Sequence, residues 1–488
     1  HIRSRRQRQM CIRDRVELFY SPEVILSVGV LLIIIIDLYL QKHKYISFFL
    51  IQLLLIIASL YAITEVPQQN YSSYEFSEFT SLIKFILLLG SIIIFQYTYQ
   101  HLNYLNSLKI EYFTISILGL VGTMVMISSY SLLMLYLGIE LLSLALYALI
   151  GFNKHSGLSS EAAIKYYVLG AMSSGILLFG ISLIYGFTGS INYFEIADQI
   201  RNINSNSVQF LGIIFGIVFI TASLCFKFGA APFHIWVPDI YQGSLISTTI
   251  LLSTLPKIAV FIVFLKLYFI PFMALEYVWS DILVFIGIAS IIIGSIFALT
   301  QENIKRLLAY SAISNIGFII LAMALVSNDG LHASLYYTIV YSFTALASFG
   351  VVTHITSNSH GIENISDLAG LSKTHPYFAI LILITMLSAA GIPPLIGFHA
   401  KLMVIQALIN NSYIFLSIIV VLMTVVSAYY YLRVIKTVYF EERENLISTY
   451  TSSNILLSIN VILLLGLGIF PFISVSYTHL TLPTTASV

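Results

Sequence analysis

Charged residues are scarce in this sequence, and their scarcity excludes a water-soluble fold. Asp, Glu, Lys and Arg together make up 9% of the 488 residues, whereas about a quarter of a soluble domain is charged. Hydrophobic residues make up 58%, and the mean hydropathy is +0.93. The formal net charge of +1 gives no electrostatic basis for binding nucleic acid. The composition therefore indicates a polytopic membrane protein.

Cysteines and nucleotide-binding motifs are lacking as well. The two cysteines, Cys11 and Cys225, are too few to ligate an iron–sulfur cluster or a structural zinc ion. The sequence has no GxGxxG motif after a strand, no Walker loop and no soluble domain long enough to hold a nucleotide. We therefore expect no cofactor or metal in this chain, so that any redox chemistry it serves would run through other proteins.

Long apolar runs dominate the sequence instead. They predict an all-α polytopic membrane protein of about 14 transmembrane helices, joined by short connections into one helical bundle. The predicted helices lie near 22–40, 44–63, 79–98, 112–128, 131–152, 162–186, 208–231, 245–270, 280–299, 304–326, 331–355, 376–411, 412–438 and 453–475.

The charges in the connecting loops predict how these helices are oriented. If the first helix starts outside, the inside loops hold eleven Lys and Arg residues, whereas the outside loops hold only Arg201. Positively charged loops favour the inside of a membrane, so both ends of the chain are expected outside. The inside set is Lys42, Lys44, Lys109, Lys154, Lys165, Lys305, Arg306, Lys373, Arg433, Lys436 and Arg443.

Two of the predicted helices are interrupted by glycine and proline. The first interruption is FKFGAAPFHIWVPDIYQG at 226–243, and the second is AAGIPPLIGFHAK at 389–401. Non-helical backbone at membrane depth usually lines a cavity or an ion path, and paired broken helices are typical of inverted-repeat transporters. We therefore predict two inverted five-helix repeats, 112–270 and 280–438, each containing a broken helix.

The rest of the chain flanks these repeats. A three-helix segment at 16–111 precedes them, and a C-terminal helix at 453–475 follows them. Residues 1–15 are rich in arginine, and residues 477–488 turn polar within a helix. Both ends resemble translated sequencing-adapter read-through and are excluded from the fold prediction.

Four charges remain at membrane depth: Glu140, Lys227, Lys257 and Lys401. Facing lipid, they would together cost on the order of 10–14 kcal/mol, so we expect them to face inward, paired or hydrated. Lysines held away from water can release a proton near neutral pH, and acid and base groups bridged by water can relay protons. The alternative is a static buried ion pair that fixes helix packing. Pairing alone would not neutralise the charge, because there are three lysines and only one glutamate.

Other residues are weaker candidates. His234 and His399 flank the two breaks and would either extend the relay or bond carbonyl groups that the breaks set free. Lys84, one or two turns into its helix, is expected to extend toward the outer surface. Asp239 is expected to cap a helix, and the tyrosines at 429–431 are expected at the membrane interface.

Several of these motifs together resemble a known family. They are the helix around Glu140 and the sequences FKFGAAPFHIWVPDIYQG, STLPKIA, QENIKRLLAYSAISNIGF and AGIPPLIGFHAK. The chain is similar to the antiporter-like, proton-translocating membrane subunits of respiratory complex I. The resemblance implies that Glu140 and Lys227 form a coupling pair. It also implies that Lys257 is the central relay lysine and that Lys401 exchanges the proton with the outer side.

The resemblance further implies a function, partners and a location. The chain would help NADH:quinone oxidoreductase couple NADH oxidation and quinone (ubiquinone) reduction to proton pumping, without a redox site of its own. NAD, FMN, iron–sulfur clusters and quinone would bind other subunits, and the neighbours would be lipids and membrane subunits, some of them antiporter-like. The membrane would be a bacterial inner membrane or the mitochondrial inner membrane of a plant, alga or protist. One alternative is a subunit of a multi-subunit sodium/proton antiporter, and another is a structural membrane scaffold.

Overall fold

The computed structural model describes residues 21–40, 42–64, 73–204, 207–357, 363–442 and 454–469. The adapter-like ends predicted at 1–15 and 477–488 lie outside these ranges. Apart from isolated bridges, every regular element in the described ranges is a helix. The described residues form two compact units, divided between Leu149 and Ile150.

The first unit contains five helices, each built on one of the long apolar runs. They are α1 (Pro22–Tyr39), α2 (Lys44–Thr64), α3 (Glu78–Tyr104), α4 (Ile110–Ser128) and α5 (Leu132–Ile150). Helices α4 and α5 approach closely at Gly122 and Gly138, since a Cβ atom on Gly122 would lie 2.9 Å from the Gly138 carbonyl oxygen. Small residues allow such close packing between membrane helices.

The second unit contains the remaining α-helices. They are α6 (Gly157–Thr188), α7 (Tyr193–Asn202), α8 (Val208–Phe228), α9 (Trp236–Gly243), α10 (Ile246–Ser253), α11 (Leu255–Phe269), α12 (Glu276–Leu299), α13 (Ile304–Met323), α14 (Asn328–Ser357), α15 (Leu371–Thr374), α16 (Pro376–Ala390), α17 (Ile396–Asn410), α18 (Ile414–Phe440) and α19 (Ile455–Ile469). Side-chain caps begin several of them, for example Ser207 Oγ, which accepts from Phe210 N at 3.2 Å at the start of α8. Every residue from Ile246 to Tyr268, in the segment formed by α10 and α11, is buried.

The structure confirms an all-α polytopic membrane fold. Within the described residues, twelve helical segments are long and apolar enough to cross a membrane. The broken pair α16 and α17 and the shorter α19 account for the remaining predicted spans. The structure adds the amphipathic helix α7 and a break at Thr254, neither of which was predicted. The boundaries of the two repeats stay a prediction.

Candidate proton-relay site

The first predicted break lies where α8 ends. Gly229 has φ +81°, a left-handed conformation that glycine adopts without steric cost. The amides of Gly229 and Ala230 both donate to the Cys225 carbonyl oxygen, at 2.8 and 2.9 Å, and so close the end of the helix. Pro232 then lacks the amide that a continuing helix would need. The break therefore leaves the last carbonyl groups of α8 free for other donors.

Lys257 supplies that donor. Its Nζ donates to the carbonyl oxygens of Phe228 at 2.8 Å and Lys227 at 3.3 Å, and it lies 5.2 Å from the centre of the Trp236 ring. The side chain is 1% exposed. The C-terminus of a helix carries partial negative charge, and an aromatic face attracts a cation, so both neighbours stabilise the buried ammonium. Its acceptors in the described chain are neutral carbonyl groups.

The second break repeats this arrangement at the end of α16. Gly391 has φ +82°, and the amides of Gly391 and Ile392 both donate to the Leu387 carbonyl oxygen at 3.1 Å. Pro394 follows Gly391 by three residues, as Pro232 follows Gly229. Lys401 Nζ donates to the carbonyl oxygen of Ala390, the last residue of α16, at 2.9 Å. A buried lysine therefore caps the interrupted helix at both breaks.

Lys401 also borders a small internal cavity. Its Nζ donates to Ser427 Oγ at 3.3 Å and lies 5.8 Å from the centre of the Phe318 ring. The cavity measures about 40 Å³, which is room for roughly two or three water molecules. Its polar lining comes from Ser311, Asn315, Tyr337, Tyr341, Thr344, Ser348 and Ser388. This is the kind of space in which bound water connects a lysine to neighbouring hydroxyl groups.

Tyrosines that the sequence placed at the membrane interface belong to this polar region. Tyr430 and Tyr431 are buried, and the Tyr431 hydroxyl forms a hydrogen bond with Ser311. Tyr337 donates to Asn315 Oδ1 at 2.8 Å. The interfacial prediction is therefore wrong for Tyr430 and Tyr431, because α18 turns these side chains inward, and only Tyr429 is exposed.

Charged groups on other helices hold α9 in place. Asp239 accepts hydrogen bonds from Arg306 Nη1 at 2.7 Å and from Lys165 Nζ at 3.2 Å, rather than capping α9 as predicted. Lys305 Nζ donates to the carbonyl oxygen of Ser244, just beyond the end of α9, at 3.1 Å. Because Trp236 begins α9, this cluster also fixes the aromatic ring that lies over Lys257.

The remaining predicted site residues are placed as follows. Lys227 is buried in the last turn of α8, so the structure brings it together with Lys257 at the first break. Glu140 lies on α5 of the first unit, and its Oε1 is buried without a hydrogen-bond partner among the described residues. His234 lies in the first break and is partly exposed. His399 donates through Nε2 to the Gly468 carbonyl oxygen at 3.1 Å.

Replacing Gly391 with alanine tests the contact between the second break and Lys401. A Cβ atom there would lie 2.8 Å from Lys401 Cδ, so the lysine must move away from Ala390. Gly189 is a matched control, since it ends α6 at φ +72° and a Cβ atom there would meet no neighbouring atom within 4 Å. We expect both Gly391→Ala and Gly189→Ala to lower the free energy of unfolding by about 1–2 kcal/mol.

Only Gly391→Ala should also slow substrate-driven proton uptake into membrane vesicles. Thermal unfolding of the purified variants and proton uptake measured side by side would separate the two effects. Equal proton uptake in the two variants would show that the position of Lys401 at the break is unimportant.

Comparisons with known proteins place the chain in a family. The family model "NADH:quinone oxidoreductase/Mrp antiporter, TM" matches residues 129–427. A curated relative, NADH-quinone oxidoreductase subunit N of Ruthia magnifica subsp. Calyptogena magnifica, is 42% identical over 457 residues, covering 92% of this chain and 94% of the relative.

Solved structures agree on the fold. A chain of respiratory complex I from Thermus thermophilus with bound aureothin has a TM-score of 0.76 at 25% identity, covering 93% of this chain and 98% of that one. A chain of the Mrp complex from Dietzia sp. DQ12-45-1b has a TM-score of 0.82 at 20% identity, covering 96% and 98%. The second likeness shows the fold alone.

The fold is therefore that of an antiporter-like membrane subunit. Within that class, the chain belongs to the NADH-quinone oxidoreductase subunit N family.

Proposed function

We propose that this chain translocates protons across the membrane as a subunit of NADH:quinone oxidoreductase. The observation that carries the proposal is the pair of buried lysines, Lys257 and Lys401, each bonded to the last carbonyl group of an interrupted helix. A static packing role does not require an ionisable group at these positions, because replacing buried charge with apolar side chains is often neutral for stability.

The geometry supports a proton-exchange role for each lysine. As an ammonium group, Lys401 can donate at once to Ala390, to Ser427 and to water in the adjoining cavity. When it loses a proton, one of these hydrogen bonds is lost, and the released proton enters the chain of water and hydroxyl groups. Lys257 exchanges its proton at the first break, next to Lys227, to whose carbonyl oxygen it donates.

The other predicted residues complete the proposed relay. Glu140 and Lys227 act as the coupling pair, Lys257 is the central lysine, and Lys401 passes the proton to or from the outer side. His234 and His399 extend the relay or hold the backbone near the breaks. Moving one charge against 100 mV costs about 2.3 kcal/mol, equivalent to a pKa change of under about two units. Small rearrangements around the lysines can therefore gate the proton.

The proposed partners and membrane are those expected for this family. NADH, FMN, the iron–sulfur clusters and quinone bind to other subunits of the complex. This chain contacts other membrane subunits, including antiporter-like ones, and membrane lipids. Because the curated relatives are bacterial, the bacterial plasma membrane is the proposed location.

The test is proton uptake into inside-out vesicles that contain the complex, with quinone reduction followed in parallel. We expect NADH to drive uptake, and we expect uptake to persist when sodium is replaced by potassium. The runner-up, a sodium/proton antiporter subunit, is favoured by the fold shared with the Mrp complex. Sodium–proton exchange without NADH, in a preparation that lacks flavin and iron–sulfur proteins, would favour that alternative.

A further inference from the structure

A buried ion pair lies in the first unit. Lys84 Nζ on α3 lies 2.7 Å from Glu23 Oε1 on α1, and the two side chains are 4% and 7% exposed. The prediction that Lys84 extends to the surface is therefore wrong, because the carboxylate of Glu23 holds it inside. The family model begins at residue 129 and does not include either residue.

Tyr74 joins the pair and closes a triad. Its hydroxyl donates to Glu23 Oε1 at 2.7 Å and accepts from Lys84 Nζ at 3.2 Å. The Tyr74 and Phe76 rings also cover the ammonium, with centres 5.1 and 5.8 Å from Nζ. Glu23 Oε2 is buried and has no hydrogen-bond partner among the described residues. The triad therefore contains an acid, a base and a hydroxyl group in mutual contact. The second carboxylate oxygen, Glu23 Oε2, takes no part in these contacts.

The triad lies near the outer end of its helices. Glu23 is the second residue of α1, and Lys84 lies roughly 9 Å along α3 from its start. Both helices begin outside according to the loop charges. Burying an ion costs several kcal/mol, and apolar side chains of similar volume would join α1 to α3 as well. An ionisable group inside a membrane protein is for this reason first considered a functional site.

We propose that Glu23, Lys84 and Tyr74 form a second proton-exchange site, near the outer face of the first unit. The proposal rests on the proposed function of the chain. A proton moves from Lys84 Nζ to the Glu23 carboxylate, which gives a neutral amine and a neutral acid. The acid then releases that proton to outside water and returns to a carboxylate held by the Tyr74 hydroxyl. Uptake of a proton by the amine restores the ion pair.

The decisive experiment compares variants of the whole complex in inside-out vesicles. The double variant Glu23→Gln/Lys84→Met removes both charges with little change in volume. We expect it to assemble and to slow NADH-driven proton uptake at least about tenfold, a conservative figure for losing a positioned proton-transfer group. Glu78→Gln is the matched control, because Glu78 is an exposed glutamate in the first turn of α3, and it should leave uptake unchanged.

Infrared difference spectra recorded on addition of NADH provide a second readout. A protonated-carboxyl band should be present in the parent complex and in Glu78→Gln but absent in Glu23→Gln. Tyr74→Phe keeps both charges and the ring, so it should assemble, shift that band and slow uptake. If the double variant fails to assemble, the infrared spectrum of Tyr74→Phe tests the proposal in its place. An unshifted protonated-carboxyl band in Tyr74→Phe, or the absence of that band, overturns the proposal.

Lys257→Met in the same series separates this inference from the proposed function. Loss of uptake in Lys257→Met together with parent-level uptake in Glu23→Gln/Lys84→Met would overturn the triad as a proton-exchange site and leave the relay intact. Parent-level uptake in Lys257→Met would instead contradict the proposed function itself.

Discussion

Lys257→Met is expected to reduce NADH-driven proton uptake at least about a hundredfold while the complex still assembles, since a positioned proton-transfer group contributes roughly 10²–10⁴-fold. Methionine has a similar length and fills the space beneath Trp236, but it cannot donate to the carbonyl oxygens of Phe228 and Lys227. It also carries no proton to release. Uptake into inside-out vesicles and quinone reduction, measured together, would show whether both activities fall.

Lys436→Met is the control for this substitution. Lys436 is 68% exposed and lies 3.5 Å from Glu441, so its removal changes only the surface. We expect normal uptake in the control. Normal uptake in Lys257→Met itself would show that the buried ammonium is a packing feature and would contradict the relay.

The positions of the two breaks could be predicted from sequence because their causes are local. Gly229 and Gly391 supply a left-handed residue, and Pro232 and Pro394 remove an amide. The acceptors of Lys257 and Lys401 could not be predicted, since each lysine comes from a different helix than the carbonyl group it bonds. Such pairings depend on how the helices pack.

The break at Thr254 had a sequence signal that the apolar pattern obscured. Pro256, two residues later, has no amide to donate to the preceding turn. The run from 245 to 270 is nevertheless predominantly apolar, so it resembles one uninterrupted span. The break matters because it places Lys257 in the first turn of α11, where it meets the end of α8.

Buried polar contacts between distant parts of the chain were missed for a different reason. Lys84 and Glu23 are far apart in sequence, and so are Tyr431 and Ser311. A lysine near a helix end extends outward in the absence of a partner, and a run of tyrosines is typical of an interface. In each case one contact with a distant residue, Glu23 for Lys84 and Ser311 for Tyr431, holds the side chain inside the protein, and no local sequence pattern predicts such a contact.

Glu140→Gln is expected to slow coupled turnover by about tenfold or more, because the amide keeps the size of the side chain and cannot carry the charge or the proton. The buried Oε1 has no hydrogen-bond partner among the described residues, so packing alone gives little reason for a carboxylate there. Glu111→Gln, at an exposed first-turn position of α4, is the matched control and should leave turnover unchanged.

The same turnover measurement also tests the proposed pairing of Glu140 with Lys227. A double-mutant cycle compares the turnover of Glu140→Gln, Lys227→Gln and the double variant with that of the parent. The logarithm of each rate ratio gives the free energy lost in the transition state. If the two residues act as one coupling pair, the losses will fall short of additivity by about 1 kcal/mol or more. Strictly additive losses would mean that the two charges act independently, and a parent rate in Glu140→Gln would reduce Glu140 to a packing role.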